Sequence, residues 1–341
     1  MFHERLTLIL LFLLGVVMVR WILRHGADKG LPPGPVPLPI LGNILDIAPK
    51  NSIEFEHWIK HKDQYGPVSS VTVMGKTMIL IHDLEASHQI LEKMASKTSG
   101  RPRMNFAHGL CGFGRDISNQ QCNNDHHLQR KLVHQELGTA AKSAQYDVFQ
   151  QEVFEHVEIG SAEAAREVPF ALSKEQMKHG SKVSSYVSRL LEQLSEKGDS
   201  DERIDFDEET VKWTAGVMYT AGSHTTVTSL KWFLLAMVMY PDVQKEAQEE
   251  IAKVTRGKRL PQMDDRKNLP FLEGLVKETY RWNPVGPMSL PHAATSDVEY
   301  KGYNIPKGSI ILPSVWWFCH DPEVYQNPIE FDPDRYLEPR F

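Results

Sequence analysis

The most continuous stretch of apolar residues lies close to the start of the chain. It runs almost uninterrupted from Leu6 to Val19, and residues 21–23 extend it past Arg20. The run is slightly short of the roughly 20 residues that a bilayer-spanning helix needs. It is long for a signal-peptide core, and no small-residue cleavage site follows it. The pattern predicts a signal-anchor helix and its flank over residues 1–30, with a cleaved signal peptide as the alternative.

Basic residues follow this apolar run, whereas the charges in front of it cancel. Arg20, Arg24 and Lys29 come after it, and the positive-inside rule places such a flank in the cytosol. We therefore expect a single-pass protein of the endoplasmic reticulum membrane with the bulk of the chain cytosolic. The proline-rich residues 31–39 then predict a stiff linker to a folded domain.

Beyond residue 50, apolar residues recur at helical spacing in several segments. The first predicted helix begins near Asn51, which can cap it, with Glu54 three residues later. The other predicted helices are Asp83–Met94, Leu128–Leu137, Asp205–Tyr240, Val243–Val254 and Leu269–Trp282. The predicted strands are Val68–Val73 and Thr77–Ile81, a hairpin around Met74-Gly75-Lys76, and later Val298–Tyr303 and Ser309–Leu312. Residues 98–125 are predicted to be a loop. The fold class is mainly α with a minor β part.

The helix predicted over Asp205–Tyr240 is the longest, at roughly 50 Å. Its middle is apolar nearly all round, which predicts burial on every side. Within it, Ala221-Gly222-Ser223-His224-Thr225-Thr226 combines small residues, which permit close approach to the backbone, with threonines that can bond back to preceding carbonyls. A helix–helix crossing through small residues would explain this segment without any chemistry.

Charge and cysteine content exclude several classes of function. The 341 residues carry a net charge of −6 without a basic run, so nucleic acid is not an expected partner. The three cysteines, Cys111, Cys122 and Cys319, are too few for a disulfide framework. Cys122 lies close to His126, His127 and His134, which leaves a zinc site as a minor alternative, although the spacing fits no standard one.

Two further motifs place charged residues at fixed positions. Glu278 and Arg281 stand three residues apart on one predicted helix, a spacing that is common in surface ion pairs. Arg335 lies within Phe331-Asp-Pro-Asp-Arg-Tyr336 near the end of the chain.

In this order and spacing, the segments at 221–226, 278–281 and 331–336 resemble the cytochrome P-450 family of haem-thiolate monooxygenases. The resemblance covers most of residues 31–341, which we interpret as one incomplete domain of that fold, similar to microsomal fungal members. It implies haem b as cofactor and the oxidation of a lipophilic small molecule by dioxygen. The implied partners are the membrane and an NADPH-dependent reductase.

The resemblance also implies roles for individual residues. Thr225 would help to deliver protons to dioxygen, preceded by His224 where the family usually has an acid. Ala221 and Gly222 would open a notch for oxygen. Residues implied to contact the haem propionates are Arg130, His126 and His292. The residues implied to form a structural charge cluster beneath the haem are Glu278, Arg281 and Arg335.

Two parts of the family pattern are missing. The iron ligand of the family is a cysteine downstream of the third motif, whereas the last cysteine here is Cys319, which we interpret as a buried structural residue. Residues 139–170 look compressed, that is, shorter than the corresponding part of the family pattern. Some of the helices that cover the substrate in the family would then be absent. We therefore expect no axial metal ligand among these residues, and either an inactive chain or an incomplete version of a complete enzyme. The alternative is a membrane-tethered remnant or binding protein.

Overall fold

The computed structural model of the protein describes residues 12, 13, 15–20, 30–139, 162–180, 185–195 and 206–337. The α-helices in these ranges are α1 (Glu54–Tyr65), α2 (Leu84–Ser87), α3 (Ala95–Thr98), α4 (Asn124–Leu137), α5 (Ala162–Lys178), α6 (Tyr186–Ser195), α7 (Glu208–Met239), α8 (Pro241–Thr255), α9 (Pro270–Trp282) and α10 (Val315–His320). Named strands are β1 (Val68–Val73), β2 (Lys76–Ile81), β3 (His292–Ala293), β4 (Val298–Tyr300), β5 (Tyr303–Ile305) and β6 (Ile310–Pro313). The predicted class, mainly α with a minor β part, is confirmed.

Most of the anchor predicted for residues 1–30 falls outside the described residues. Residues 12, 13 and 15–20 of it are helical. In the described part of the chain, no helix is both long enough and apolar enough to cross a bilayer. The anchor therefore stays a prediction.

The backbone divides into two compact units: residues 1–102 with 232–341 form unit 1, and residues 103–231 form unit 2. Unit 1 contains a sheet of strand order β1-β2-β6-β3, in which β2 and β6 are parallel and the other two pairs antiparallel. One face of this sheet packs on a core that includes the fully buried Ile79, Ile81, Ile90, Ile305 and Ile311. Burying one such side chain stabilises the fold by about 1.5–3 kcal/mol.

Two tight turns account for the β-hairpins of unit 1. Met74 and Gly75 both have positive φ, 47° and 81°, which suits the right-handed twist of the predicted hairpin β1–β2. Lys301 and Gly302 repeat this geometry, with φ of 48° and 82°. The single strand predicted over Val298–Tyr303 is therefore wrong, because the chain reverses there to pair β4 with β5.

The first helices of unit 1 differ from their predicted form. Helix α1 begins at Glu54, and Ile53 occupies its cap position without a side-chain bond, so the predicted Asn51 cap is wrong. The helix predicted over Asp83–Met94 is capped by the Asp83 carboxylate but changes to π geometry over His88–Lys93.

A second core in unit 1 joins α8, α9 and the end of α7. It contains Ala236, Ala247, Phe271, Leu275 and Phe331. Pro241 ends α7 and is also the first residue of α8, which is therefore longer than predicted. Pro at this position costs no hydrogen bond, because the first helical N–H groups lack partners inside the helix.

Unit 2 contains α4, α5, α6 and α7 up to Lys231, packed around Leu132, Leu190 and Val211. Asp207 caps α7 by accepting from the Thr210 backbone N–H at 2.8 Å; the predicted cap, Asp205, lies outside the described residues. The region predicted as a loop over 98–125 contains short helical turns, including a π-helical turn over Asn105–Leu110.

The middle of α7 is not buried on every side, so that prediction is wrong. Residues 221, 222 and 224–227 are exposed, and Leu230, Leu234 and Val238 are 54%, 60% and 79% exposed. These last three lie four residues apart and form one apolar stripe along the helix. The apolar composition of the helix predicts that it is buried, but it does not show which of its faces pack against other parts of the chain.

Candidate active site

A buried charge cluster in unit 1 joins α9 to the turn at Pro333–Tyr336. The Glu278 side chain is fully buried, and the side chains of Arg281 and Arg335 are 3% and 5% exposed. Arg281 donates to both Glu278 carboxylate oxygens, each at 2.7 Å. Arg335 Nε donates to Glu278 Oε1 at 3.1 Å. The structure therefore brings these three predicted residues together, and their position relative to a haem stays a prediction.

The same guanidinium groups also hold the backbone that leads from α10 to the end of the chain. Arg281 donates to the carbonyls of Cys319, Pro328 and Glu330 at 2.8, 2.7 and 3.0 Å. Together with its two bonds to Glu278, these contacts use all five N–H donors of Arg281. Saturated donors leave no group free to act on a ligand. The arrangement therefore fits a structural role.

Close backbone approach holds α9 against this turn. A Cβ atom added to Gly274 would lie 2.8 Å from the Pro333 carbonyl oxygen. That distance is too short for any side chain without movement of the backbone. Asp332 N donates to Glu278 Oε1 at 2.9 Å on the same side of α9. Sequence reasoning missed Gly274, because a glycine inside a helical pattern does not show what it faces.

The α7 segment from Ala221 to Thr226 presents its side chains to open space in unit 2. Thr225 Oγ1 donates to the Ala221 carbonyl at 2.6 Å, as the helical threonine pattern predicts. A Cβ atom added to Gly222 would meet nothing within 4 Å. His224 and Thr225 are both exposed. The segment is an accessible face that combines a hydroxyl, an imidazole and a gap beside the helix.

His292 is the first residue of β3 in unit 1. It lies near the cation Arg101, which the sequence analysis did not single out. Its Nδ1 is 3.1 Å from the Thr98 carbonyl, so in the neutral ring that nitrogen carries the proton. Burial, and next the positive charge of Arg101, lower the pKa of His292. Arg101 donates to the Pro291 carbonyl at 3.1 Å across 190 positions of sequence. No local pattern marks a partner so distant in sequence.

The two predicted propionate contacts of unit 2 share one face of α4. His126 is half-buried and Arg130 is exposed, one helical turn apart. Asn123 caps this helix by accepting from the His126 backbone N–H at 2.8 Å. The predicted site residues are thus divided between the units: His126, Arg130 and the α7 segment belong to unit 2, and the others belong to unit 1.

Comparison with known proteins decides the family. The family model for cytochrome P450 matches residues 32–170 and 170–341. The chain is 38% identical to the cytochrome P450 monooxygenase CLM2 of Gibberella zeae, over 98% of this chain and 80% of the relative. The chain belongs to the cytochrome P450 family. The identity is also 38% to the multifunctional cytochrome P450 monooxygenase af510 of Aspergillus fumigatus, over 91% of this chain and 74% of the relative.

The fold of this P450 is likewise that of the family. A zebrafish cytochrome P450 solved with progesterone matches it with a TM-score of 0.68 at 21% identity, over 85% of this chain and 84% of that one. The two matches to the family model meet at Phe170. The alignment with CLM2 runs over 421 positions, more than the 341 residues of this chain. This relative therefore carries residues inside the matched region that this P450 lacks. That they are missing from residues 139–170 stays a prediction, and most of that stretch lies outside the described residues.

Each unit of this P450 carries side chains with the chemistry that the carboxylate groups of a haem would need. Arg101 beside His292, and the exposed Arg130, offer the cationic donors that propionates require. A neutral His292 offers only a lone pair at Nε2. It would donate to a carboxylate there only after protonation, which a nearby propionate would favour.

The cysteines of residues 1–341 do not fit the iron of a P450. The Cys319 carbonyl accepts from Arg281 on the structural cluster. Burial raises the pKa of the Cys319 thiol, which disfavours a thiolate. Cys111 and Cys122 are exposed side chains of unit 2. In the described residues, no group of three or more histidines, cysteines or carboxylates could hold a metal, so the structure gives the zinc alternative no support.

Proposed function

We propose that this P450 is of the type that oxidises lipophilic small molecules with dioxygen. The electrons would come from an NADPH-dependent reductase. The observation that carries the proposal is the α7 segment with Thr225 and the open space at Gly222. Haem, when bound, supplies the chemistry of dioxygen in this family. The progesterone in the zebrafish structure supports a lipophilic substrate class.

The residues of this chain would handle protons at that segment. The Thr225 hydroxyl donates to the Ala221 carbonyl and keeps lone pairs that can accept from a water molecule. A proton taken from such a water must be replaced from solvent. The exposed His224 stands next to Thr225 where the family usually has an acid. An imidazole can relay protons near neutral pH.

The haem-binding part of the proposal is tested by an equilibrium titration of the purified chain with haemin, followed by absorbance. Replacement of one charge-assisted partner costs about tenfold or more in affinity, so we expect that loss in Arg130→Gln. Lys131→Gln is the matched control, because it removes a positive charge from the next residue of α4, which is also exposed. Equal losses in both variants would contradict the assignment of Arg130.

We also propose that unit 1 contacts the endoplasmic reticulum membrane just beyond the anchor. Three large apolar side chains within and just after the proline-rich residues 31–39 are highly exposed: Val36 at 79%, Ile40 at 78% and Leu45 at 81%. Large apolar side chains exposed together in one short segment commonly mark a protein or membrane contact. Its place next to a predicted anchor favours lipid.

Flotation of the purified chain with phospholipid vesicles tests this contact. We expect Ile40→Ser with Leu45→Ser to lower the bound fraction. Leu260→Ser with Met263→Ser is the control, because those side chains are 84% and 80% exposed elsewhere in unit 1. An equal decrease in both double variants would contradict a specific membrane face.

The inactivity expected from the missing thiolate stays a prediction.

A further inference from the structure

Four large apolar side chains near the end of α7 lie uncovered in unit 1. Leu234, Leu235, Val238 and Met239 are 60%, 41%, 79% and 54% exposed. Their spacing of one, three and one residues places them on one face over roughly the last two turns of the helix. The residues between them, 236 and 237, are buried in the core of unit 1. We call these four exposed side chains the α7 seam.

The composition and spacing of the α7 seam suit contact with another helix. Soluble proteins rarely leave several large aliphatic side chains exposed side by side, and such faces commonly mark a contact with another molecule. Apolar residues that recur every three to four positions are the pattern by which two helices pack together along their length. A helix with a matching apolar face is therefore the occupant that this surface favours.

One charged residue stands near each end of the α7 seam. Lys231 precedes Leu234 by three residues on the same continuous helix. Asp242 follows Met239 by three residues and belongs to the first turn of α8. Both charged residues are exposed, and neither has an ion-pair partner among the described residues. The seam thus has a cation near its beginning and an anion near its end.

A second copy of this chain matches that arrangement when the two α7 helices run antiparallel. The midpoint between positions 231 and 242 is also the midpoint between 234 and 239 and between 235 and 238. A two-fold axis at this midpoint would place Lys231 opposite Asp242 of the second copy, and the apolar side chains opposite one another. A parallel pair would instead bring like charges together, which is unfavourable.

We propose that the α7 seam joins two copies of this chain in an antiparallel, two-fold symmetric dimer. Four apolar side chains from each copy are far fewer than the roughly 20–30 residues that a standard interface takes from each partner. The dimer is therefore weak and depends on protein concentration. It goes beyond the proposed oxidation, because none of its residues is implied to contact haem or dioxygen.

Sedimentation velocity of the purified 341-residue chain tests the contact. We expect the dimer fraction to rise across the range typical of weak complexes, about 1 µM to 1 mM. Leu234→Ser with Val238→Ser should weaken the dimer by about tenfold or more. Leu260→Ser with Met263→Ser is the matched control, because it removes exposed apolar side chains elsewhere in unit 1 and should leave the dimer unchanged. A chain that stays monomeric throughout this range would overturn the proposal.

Charge reversal tests the antiparallel direction. Lys231→Asp and Asp242→Lys each place like charges opposite one another and should weaken the dimer by about tenfold or more. The variant that carries both substitutions restores both ion pairs and should recover most of the lost affinity. Lys245→Asp is the control, because this exposed lysine of α8 lies outside the seam and its reversal should have no such effect.

Three further results would contradict the dimer. Equal association in the Leu234→Ser, Val238→Ser variant would assign it to another surface, such as the apolar residues near the start of the chain. A double charge variant that dimerises no better than the single variants would exclude the antiparallel pairing. A monomer whose flotation with phospholipid vesicles falls in the serine variant would assign the seam to lipid. Should the serine variant fail to fold by circular dichroism, the charge variants decide, because both of their positions are exposed.

Discussion

The buried charge cluster of unit 1 and the exposed middle of α7 in unit 2 bear the clearest motifs of this P450, and they differ in what holds their polar groups. Glu278 accepts from Arg281 on its own helix, and from Arg335 and the Asp332 backbone N–H, which lie more than 50 positions away along the chain. Among the described residues, the Thr225 hydroxyl bonds only to the Ala221 carbonyl of its own helix. The first motif therefore maintains the fold, and the second offers an accessible surface.

The largest expected effect separates these two roles directly. Glu278→Ala leaves Arg281 and Arg335 buried without their shared carboxylate, and breaking a buried pair in this way costs about 3–5 kcal/mol. We expect urea unfolding to show this loss in the free energy of unfolding. Thr225→Ala removes only a bond inside one helix and should change that free energy much less.

Glu273→Ala is the control on the same helix. Glu273 pairs with Arg266, whose side chain is 64% exposed, and exposed pairs contribute little to stability. If Glu273→Ala destabilised the protein as much as Glu278→Ala, burial would not distinguish the cluster from a surface ion pair.

Acid should also act on unit 1 through a buried histidine at the end of β2. Burial, followed by the nearby His61 and Lys62, lowers the pKa of His82 from 6.5 to about 4. A neutral buried imidazole contributes stability above pH 6.5, and this contribution is lost as the pH falls from 6.5 towards 4. The full shift corresponds to about 3 kcal/mol.

His82→Leu tests this pH dependence. We expect the variant to lose stability less steeply than the parent between pH 6.5 and 4, measured by urea unfolding across that range. A residual slope should remain, because burial also lowers the pKa of His61. Equal slopes in parent and variant would rule out His82 as the cause.

Two glycines inside helices give the next contrast. A methyl group at Gly274 would meet the Pro333 carbonyl oxygen at 2.8 Å, so Gly274→Ala should destabilise the protein by about 1–3 kcal/mol. At Gly222 a methyl group would meet open space. There, Gly222→Ala should stabilise by about 0.5–1 kcal/mol, because alanine loses less backbone entropy in a helix.

Thermal unfolding of both variants measures this pair of effects. Opposite shifts of the Tm are expected. A destabilising Gly222→Ala would show that another part of the protein approaches α7 at this point, which would contradict an open face there.

A smaller effect than that of Glu278→Ala concerns the N-terminal cap of α9, the helix that carries Glu278 and Arg281. Glu250 on α8 accepts from the Phe271 and Leu272 backbone N–H groups, both at 2.9 Å. Glu250→Ala removes this cap and should cost about 0.5–2 kcal/mol, measured by the same unfolding experiment. No change in stability would mean that water replaces the carboxylate at no cost.

Sequence patterns predicted the local parts of this structure well. Two β-rich runs around Met74-Gly75-Lys76 predicted the β1–β2 hairpin. The long apolar segment after Asp205 predicted α7, and the amphipathic pattern of Leu269–Trp282 predicted α9. The Lys301–Gly302 turn carried a comparable signal, a glycine between two β-rich runs, and was missed because the flanking strands are only three residues long.

Tertiary contacts limited what the sequence could predict about the site. The spacing of Glu278 and Arg281 fits a surface pair as well as a buried one, and burial depends on residues about 50 positions away, such as Glu330. Likewise, Arg101 and Gly274 act through partners that no local pattern identifies. The exposed face of α7 could not be predicted, because an apolar composition does not show which sides of a helix have other parts of the chain packed against them.

The most direct test of whether these residues complete a P450 iron site is the reduced carbon-monoxide difference spectrum of the haem-loaded 341-residue chain. We expect bound haem without a thiolate-type band, because burial raises the pKa of the Cys319 thiol and its backbone carbonyl is held on the structural cluster by Arg281. A thiolate-type band that disappears in Cys319→Ser would contradict this expectation and assign Cys319 as the ligand.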